Sequence, residues 1–240
     1  MGEMIGRIEI LPDPLALARH VAGWMTAAAD VGPGPFRVSL SGGSTPKTLY
    51  GLLASDEFRG RFAWKRVSWY WGDERFVPYD HPESNYRMIR EAMLSKAPVP
   101  PENIHPVPCD GTPDEAALRY ERVLQAHYGA AVLDPAKPLF DITLLGLGSD
   151  GHTASLLPGE PVLEERKRWV APVSHGRPEV RITMTYPAIE SSRRVAFLVA
   201  GREKSAIFGA IRAGASVVPA ARVRPVGEII WFVDRAAAGQ

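Results

Sequence analysis

The amino-acid sequence predicts an α/β fold with a mostly parallel sheet, and three observations carry that expectation. Short runs of β-branched and aromatic residues alternate with longer amphipathic stretches along the chain. Three of the runs end in glycine-dense or charged turns, as strands do when the loops beyond their carboxyl ends form a site. With 240 residues, 45% of them hydrophobic, the chain can also bury a substantial core.

Taken in order, Leu15–Ala29 reads as an amphipathic helix, with Asp13 as N-cap and Pro14 in the first turn. Phe36–Leu40 reads as a strand followed by a helix over Thr45–Ala54. Val67–Trp71 is the next strand, and Asn85–Leu94 the next helix. The proline-rich segment Ala97–Pro113 is a loop. It ends in Thr112-Pro113-Asp114-Glu115, a capping box that opens a helix over Asp114–Tyr128. Strands follow at Asp141–Leu147, Trp169–Val173, Arg181–Met184 and Val195–Ala200, with a short helical segment at Thr153–Leu157. A helix over Glu203–Arg212 and a strand at Ile229–Val233 come last. No repeat or linker interrupts the pattern, so one domain over residues 1–240 is expected, with Ala97–Pro113 as the only plausible seam.

Charge narrows the range of partners. The 28 basic and 27 acidic residues give a net charge of +1, without a basic stripe or long charge run, so neither nucleic acid nor a membrane surface is expected as a partner. No apolar run approaches the roughly 18 residues of a membrane span, and no basic segment followed by a long apolar core opens the chain. The single cysteine, Cys109, has no internal partner and no local activating pattern, so a loop thiol in a reducing compartment is expected. The expected protein is cytoplasmic, a monomer or small homo-oligomer.

Three strand-ending loops hold the candidate chemistry. In Leu40-Ser-Gly-Gly-Ser-Thr-Pro46, Gly42 and Gly43 let the backbone approach a ligand. Ser41, Ser44 and Thr45 add hydroxyls, and the following helix offers free N–H groups, a combination suited to phosphate. The ordinary alternative, a tight turn with a Ser/Thr cap, accounts for Thr45-Pro46 but not for the whole run. In Trp71-Gly-Asp-Glu-Arg-Phe-Val-Pro78, Asp73, Glu74 and Arg75 crowd a strand end. Arg75 either grips an anion in a two-pronged fashion or pairs with a neighbouring acid, and Ser84 or Asn85 either caps the next helix or touches ligand. In Gly148-Ser-Asp-Gly-His152, a carboxylate and an imidazole stand among glycines. His152 is usable as a general base near neutral pH, and Asp150 can orient it and raise its basicity. The other histidines, His20, His81, His105, His127 and His175, are given structural roles.

Gly146, Gly148 and Gly151 also spell G-x-G-x-x-G after a strand, the pattern of a dinucleotide turn. Three features oppose that reading. Pro158-Gly159 stops the following segment after about one turn, too short for a crossover helix. The next strand leads into Ser174-His175 instead of an acid that could hold a ribose, and the motif lies past mid-chain. A G-x-S-x-G elbow, an HExxH motif and clustered Cys/His spacing are missing, so neither a serine hydrolase nor a metal site is expected. A phosphate cradle, cations and one placed base suit the addition of water to an activated, phosphorylated small molecule.

Together these loops resemble the 6-phosphogluconolactonases. The resemblance rests on Leu40–Pro46, on Gly72–Pro78 with Ser84-Asn85, and on Leu145-Gly-Leu-Gly-Ser-Asp-Gly-His-Thr-Ala-Ser155 with Pro158-Gly159. Arg181-Ile-Thr183 and Gly201-Arg-Glu-Lys204 add to it. It implies a Rossmann-like three-layer α/β/α fold shared with the glucosamine-6-phosphate deaminases. It further implies hydrolysis of 6-phospho-D-glucono-1,5-lactone to 6-phosphogluconate in the oxidative pentose phosphate pathway, without a metal or cofactor. On that resemblance His152 takes the proton from water, while Asp150 orients His152 or binds sugar hydroxyls. Backbone N–H groups near Gly42-Gly43 or Gly148 stabilise the oxyanion. Asp73, Arg75, Asn85, Lys204 and the Ser41–Thr45 loop contact substrate. One departure is visible: the family commonly carries a lysine amid prolines before Arg-Ile-Thr, where this chain has Gly176. Arg177 or Arg181 would then supply the cation.

Two rivals stand beside this reading. A glucosamine-6-phosphate deaminase would share the scaffold, but the expected Asn-Glu-Pro-Gly loop is replaced by Ser155-Leu-Leu-Pro-Gly159, which lacks the second acid. A non-catalytic sugar-phosphate sensor would need an output module, for which the ends of the chain leave no room.

Overall fold

A computed structural model describes residues 6–32, 34–174 and 179–240. Its elements run β1 (Arg7–Leu11), α1 (Pro14–Asp30), β2 (Phe36–Leu40), α2 (Ser44–Leu53), β3 (Val67–Trp71), β4 (Asp73–Arg75), α3 (Asn85–Ile89), β5 (Ile104–His105) and α4 (Pro113–Tyr128). They continue with β6 (Ile142–Gly146), β7 (Val170–Val173), β8 (Arg181–Met184), α5 (Tyr186–Glu190), β9 (Arg194–Val199), α6 (Ser205–Arg212), α7 (Pro219–Arg222) and β10 (Glu228–Asp234).

Two sheets result. The main one has seven strands in the order β1-β10-β9-β6-β2-β3-β5, and every pairing within it is parallel. Its central strands are rich in apolar residues because they are buried on both faces. Phe197 stacks on Trp231 across β9 and β10, ring centroids 3.9 Å apart. Chain order reverses between β6 and β2, so loops diverge there and open a crevice at their carboxyl ends. The loops after β2, β3 and β6 therefore emerge side by side, as expected. Two buried tyrosines anchor this edge: Tyr50 Oη donates to Ser41 O (2.7 Å) and accepts from Ser41 N–H (3.0 Å). Tyr120 Oη does the same at Trp71, at 3.1 and 2.7 Å.

The second sheet, antiparallel β4-β8-β7, was not foreseen as a separate layer. The strands expected at Trp169–Val173 and Arg181–Met184 belong to it instead of the parallel sheet. Helix starts follow the chemistry read from the sequence. Asp13 caps α1 at Ala16 N–H, 2.8 Å, and both halves of the Thr112/Glu115 capping box form. The expected helix at Asn85–Leu94 begins as α3 and loosens into a π-helical turn over Arg90–Leu94. The helical segment expected at Thr153–Leu157 is not a helix. Ala154 has φ 48°, and Thr153 spends its hydroxyl on Gly146 O (2.9 Å), so a bridged turn replaces it.

Candidate active site

The crevice at the strand-order reversal holds an open cavity of about 790 Å³, mouth included. Ser41, Gly42, Gly43, Ser44 and Thr45 line one wall. Asp73, Arg75, Asn85 and Arg181 line another, and Gly148, His152 and Lys204 complete it. Eleven of the residues assigned to substrate by sequence reasoning thus converge on one space with the proposed base. Arg177 lies outside the described residues. Asp150 is not in the lining; it stands behind His152.

The first wall follows from Gly42-Gly43. Gly43 adopts φ +104°, a region that L side chains rarely enter, and turns the chain into α2. Gly42 has no room for a side chain, because a Cβ there would collide with the Asn85 carboxamide. At the α2 start only Lys47 N–H reaches back, to Gly43 O at 3.1 Å. The N–H groups of the first turn therefore face the cavity end with the positive end of the helix dipole.

The His152 loop is equally constrained. A side chain at Gly148 would collide with the His152 ring and the Asp150 carboxylate, and one at Gly151 (φ +82°) would collide with Val218. Within the turn, Gly148 N–H donates to His152 O (2.8 Å) and Gly151 N–H to Gly148 O (3.0 Å). The Gly148 N–H is thus already used, which leaves the Gly42-Gly43 turn as the freer donor for an oxyanion. Asp150 Oδ1 lies 2.5 Å from His152 Nδ1 and also accepts from His152 N–H (3.1 Å). Partial burial pushes the Asp150 carboxyl up, but those two bonds and the imidazole charge outweigh it and hold it below its ordinary value. An ionised carboxylate can only accept, so it keeps a proton on Nδ1, and the neutral imidazole then carries its lone pair on Nε2.

The charged wall comes from the small sheet. β4 pairs with β8 so that Arg75 stands directly opposite Arg181. Like charges in that register repel, by roughly 0.2–1 kcal/mol for such pairs. Local partners are few among the described residues: Arg75 Nη1 donates to Glu83 O (2.7 Å) and Arg181 Nη2 to Glu179 Oε1 (3.0 Å). Both Nε atoms are buried without a hydrogen-bond partner. An anion between the two guanidiniums would relieve the repulsion and satisfy those donors.

Asp73 and Glu74 behave differently from one another. Asp73 lines the cavity while its Oδ2 accepts from Ser155 Oγ at 2.7 Å, which ties the His152 loop to β4. Glu74 faces away, 2% exposed. Its burial pushes its pKa up to about 7, against the pull of the N–H groups of Asn85, Tyr86 and Arg75. Ser84 caps α3 by accepting from Arg87 N–H at 3.1 Å, so the capping option holds for it, while Asn85 donates Nδ2 to Asp73 O at 3.0 Å and lines the cavity. Sequence reasoning missed Tyr50 and Val218, which carry no local signal, and gave Ser155 no role although it lies in the Asp-Gly-His-Thr-Ala-Ser motif. Among the described residues no group of three or more His, Cys, Asp or Glu could hold a metal ion, and no helix is long and apolar enough to cross a membrane.

The fold is an α/β one whose cavity brings an imidazole together with two guanidiniums and a helix N-terminus. Residues 12–231 match the family model of the glucosamine-6-phosphate isomerases/6-phosphogluconolactonases, and the chain belongs to that family. The 6-phosphogluconolactonase of Nostoc sp. is 38% identical over 241 residues, covering 97% of each chain. The crystal structure of 6-phosphogluconolactonase from Thermotoga maritima superposes with a TM-score of 0.82 at 29% identity, covering 95% of this chain and 99% of that one. A monomeric glucosamine-6-phosphate deaminase shares the fold, with a TM-score of 0.81 at 19% identity, covering 97% and 99%.

Proposed function

We propose that this chain, acting as one catalytic unit, hydrolyses 6-phospho-D-glucono-1,5-lactone to 6-phosphogluconate. The observation that carries the reading is the opening of a carboxylate-backed imidazole into the cavity lined by the Arg75–Arg181 pair and the α2 N-terminus. His152 Nε2 removes a proton from water as its oxygen attacks C1. Asp150 keeps Nδ1 protonated and stabilises the imidazolium that forms, so the orienting role is preferred over sugar binding. The carbonyl oxygen becomes an oxyanion held by N–H groups of the Gly42-Gly43 turn. Collapse of the tetrahedral adduct breaks the bond from C1 to the ring oxygen, which takes the proton back from His152.

A placed base contributes about 10² to 10⁴ in rate and one oxyanion donor about 10² to 10³. A δ-lactone already hydrolyses unaided, so these contributions suffice without a covalent nucleophile. Arg75, Arg181, Lys204 and the Ser41–Thr45 loop take the phosphate and neighbouring hydroxyls, and Asp73 and Asn85 take hydroxyls. The cytoplasm, where Cys109 stays reduced, is the proposed compartment.

The test follows freshly generated 6-phosphogluconolactone by NMR, with and without protein. Disappearance well above the spontaneous rate, with gluconolactone much slower, is the expected result. A folded sample that gives no acceleration overturns the reading. Release of ammonia from glucosamine 6-phosphate would then favour the deaminase chemistry of the family.

A further inference from the structure

We propose that Glu74 is a positioning residue that sets the phosphate-side wall of the cavity without touching substrate. The proposal rests on the reading that Arg75 and the Ser41–Thr45 loop receive the phosphate. Glu74 lies between two cavity-lining residues on β4, and strand alternation turns its side chain to the other face. Its two oxygens accept four hydrogen bonds. Oε1 takes Arg75 N–H (2.8 Å) and Asn85 N–H (2.7 Å). Oε2 takes Tyr86 N–H (2.7 Å) and Ser84 Oγ–H (3.2 Å). No cation forms an ion pair with Glu74 among the described residues.

A carboxylate buried without a counter-ion is costly unless donors surround it. Here the donors come from both ends of the nine-residue excursion between β4 and α3, which the carboxylate draws closed. Closure puts Asn85 where its Nδ2 reaches Asp73 O (3.0 Å) and its carboxamide covers Gly42. The chain of contacts Glu74–Asn85–Gly42 therefore fixes the distance between the Arg75 guanidinium and the α2 N-terminus, the two halves of the anion cradle. The neighbouring Asp73–Ser155 bond holds the base loop from the other side of the same strand. Glu74 thus bears on substrate binding, whereas Asp73 joins the cradle to the base.

Glu74→Gln separates this role from bulk stability. The substitution keeps the shape but replaces one acceptor oxygen with a donor that faces two donors. KM for 6-phosphogluconolactone is expected to rise roughly tenfold to a hundredfold, as a displacement of about 1 Å in a positioning group does. The kcat/KM for gluconolactone, which shares the Asn85 and Gly42-Gly43 contacts but lacks the phosphate, should fall clearly less than that for the phosphorylated lactone. Equal loss for both lactones, or no loss for either, overturns the proposal. If E74Q does not fold, Ser84→Ala decides: it removes the hydroxyl that donates to Glu74 and caps α3, and a selective KM rise of roughly fivefold is expected. An unselective effect of S84A overturns it equally. A folded wild-type protein inert toward both lactones would overturn the functional reading, and Glu74's role with it.

Discussion

The two sheets contribute different things to the same cavity. The parallel sheet supplies backbone: its loops bring glycine turns, a helix N-terminus and the His152 loop to the strand-order reversal. The antiparallel sheet supplies charge: β4 and β8 carry Asp73, Arg75 and Arg181 into the space those loops leave. The cavity ends of the central parallel strands are buried on both faces, so a guanidinium placed on them there would be costly. A short, mixed-polarity sheet at its edge can hold two arginines in direct opposition. Chemistry on the parallel side and affinity on the antiparallel side should then separate under mutation.

The largest effect is expected at the base. His152→Ala should lower kcat by about 10² to 10⁴ while KM changes little, measured by NMR or a coupled assay at saturating lactone. A variant that keeps most of its kcat would remove His152 from the chemistry. On the antiparallel side the split should invert. Arg181→Ala removes a guanidinium that lines the cavity with its Nε unpartnered. It should raise KM for the phosphorylated lactone by roughly ten- to a hundredfold, the worth of one charge-assisted contact. Gluconolactone kinetics should not move; if they fall in parallel, Arg181 supports the base loop instead.

A smaller effect is expected from backbone geometry. Gly151 combines φ +82° with contact on Val218, and its carbonyl accepts from Ala220 N–H at 3.0 Å. Gly151→Ala should cost about 1–3 kcal/mol through strain at that φ, read from denaturant unfolding. It should also reduce kcat, because the same turn aims His152. If Val218→Gly, which removes the Cβ that the new methyl meets, restores part of both losses, the collision is the cause.

The same contrast explains what could be read from the sequence. The parallel strands were legible because double burial leaves apolar runs, and the glycine loops because tight turns with unusual φ require glycine. β4 was not legible: Asp-Glu-Arg has the composition of a charged loop, and only pairing with β8 makes it a strand. Nor could spacing tell that β7 and β8 leave the main sheet, since short apolar strands look alike in either setting. At Thr153–Leu157, propensity suggested a helix, but Thr153 and Ser155 form tertiary hydrogen bonds to Gly146, Thr183 and Asp73 instead. The role of Asp150 was open in the sequence because two residues' spacing permits contact with His152 without requiring it. The roles of Tyr50 and Glu74 depend on partners brought together by folding, which no local pattern announces.

The smallest effect lies at the far edge of the parallel sheet, where the comparison reaches stability instead of function. His105 on β5 stacks with Tyr70 and lies against His127, ring centroids 4.8 and 4.2 Å apart. Burial first, then the neighbouring His127, lowers the His105 pKa from 6.5 to about 4. The folded state therefore holds this imidazole neutral over a range where the unfolded chain protonates it. Its contribution to stability is present above pH 6.5 and is lost as pH falls from there towards about 4. His105→Gln removes the titrating group while keeping a polar side chain. The variant's melting temperature should consequently fall less than that of the wild type between pH 6.5 and 4.5, with kcat at neutral pH unaffected. Parallel melting curves for the two proteins across that interval would show that His105 does not carry the acid sensitivity, and would shift it to His127, whose pKa burial and Arg37 also lower.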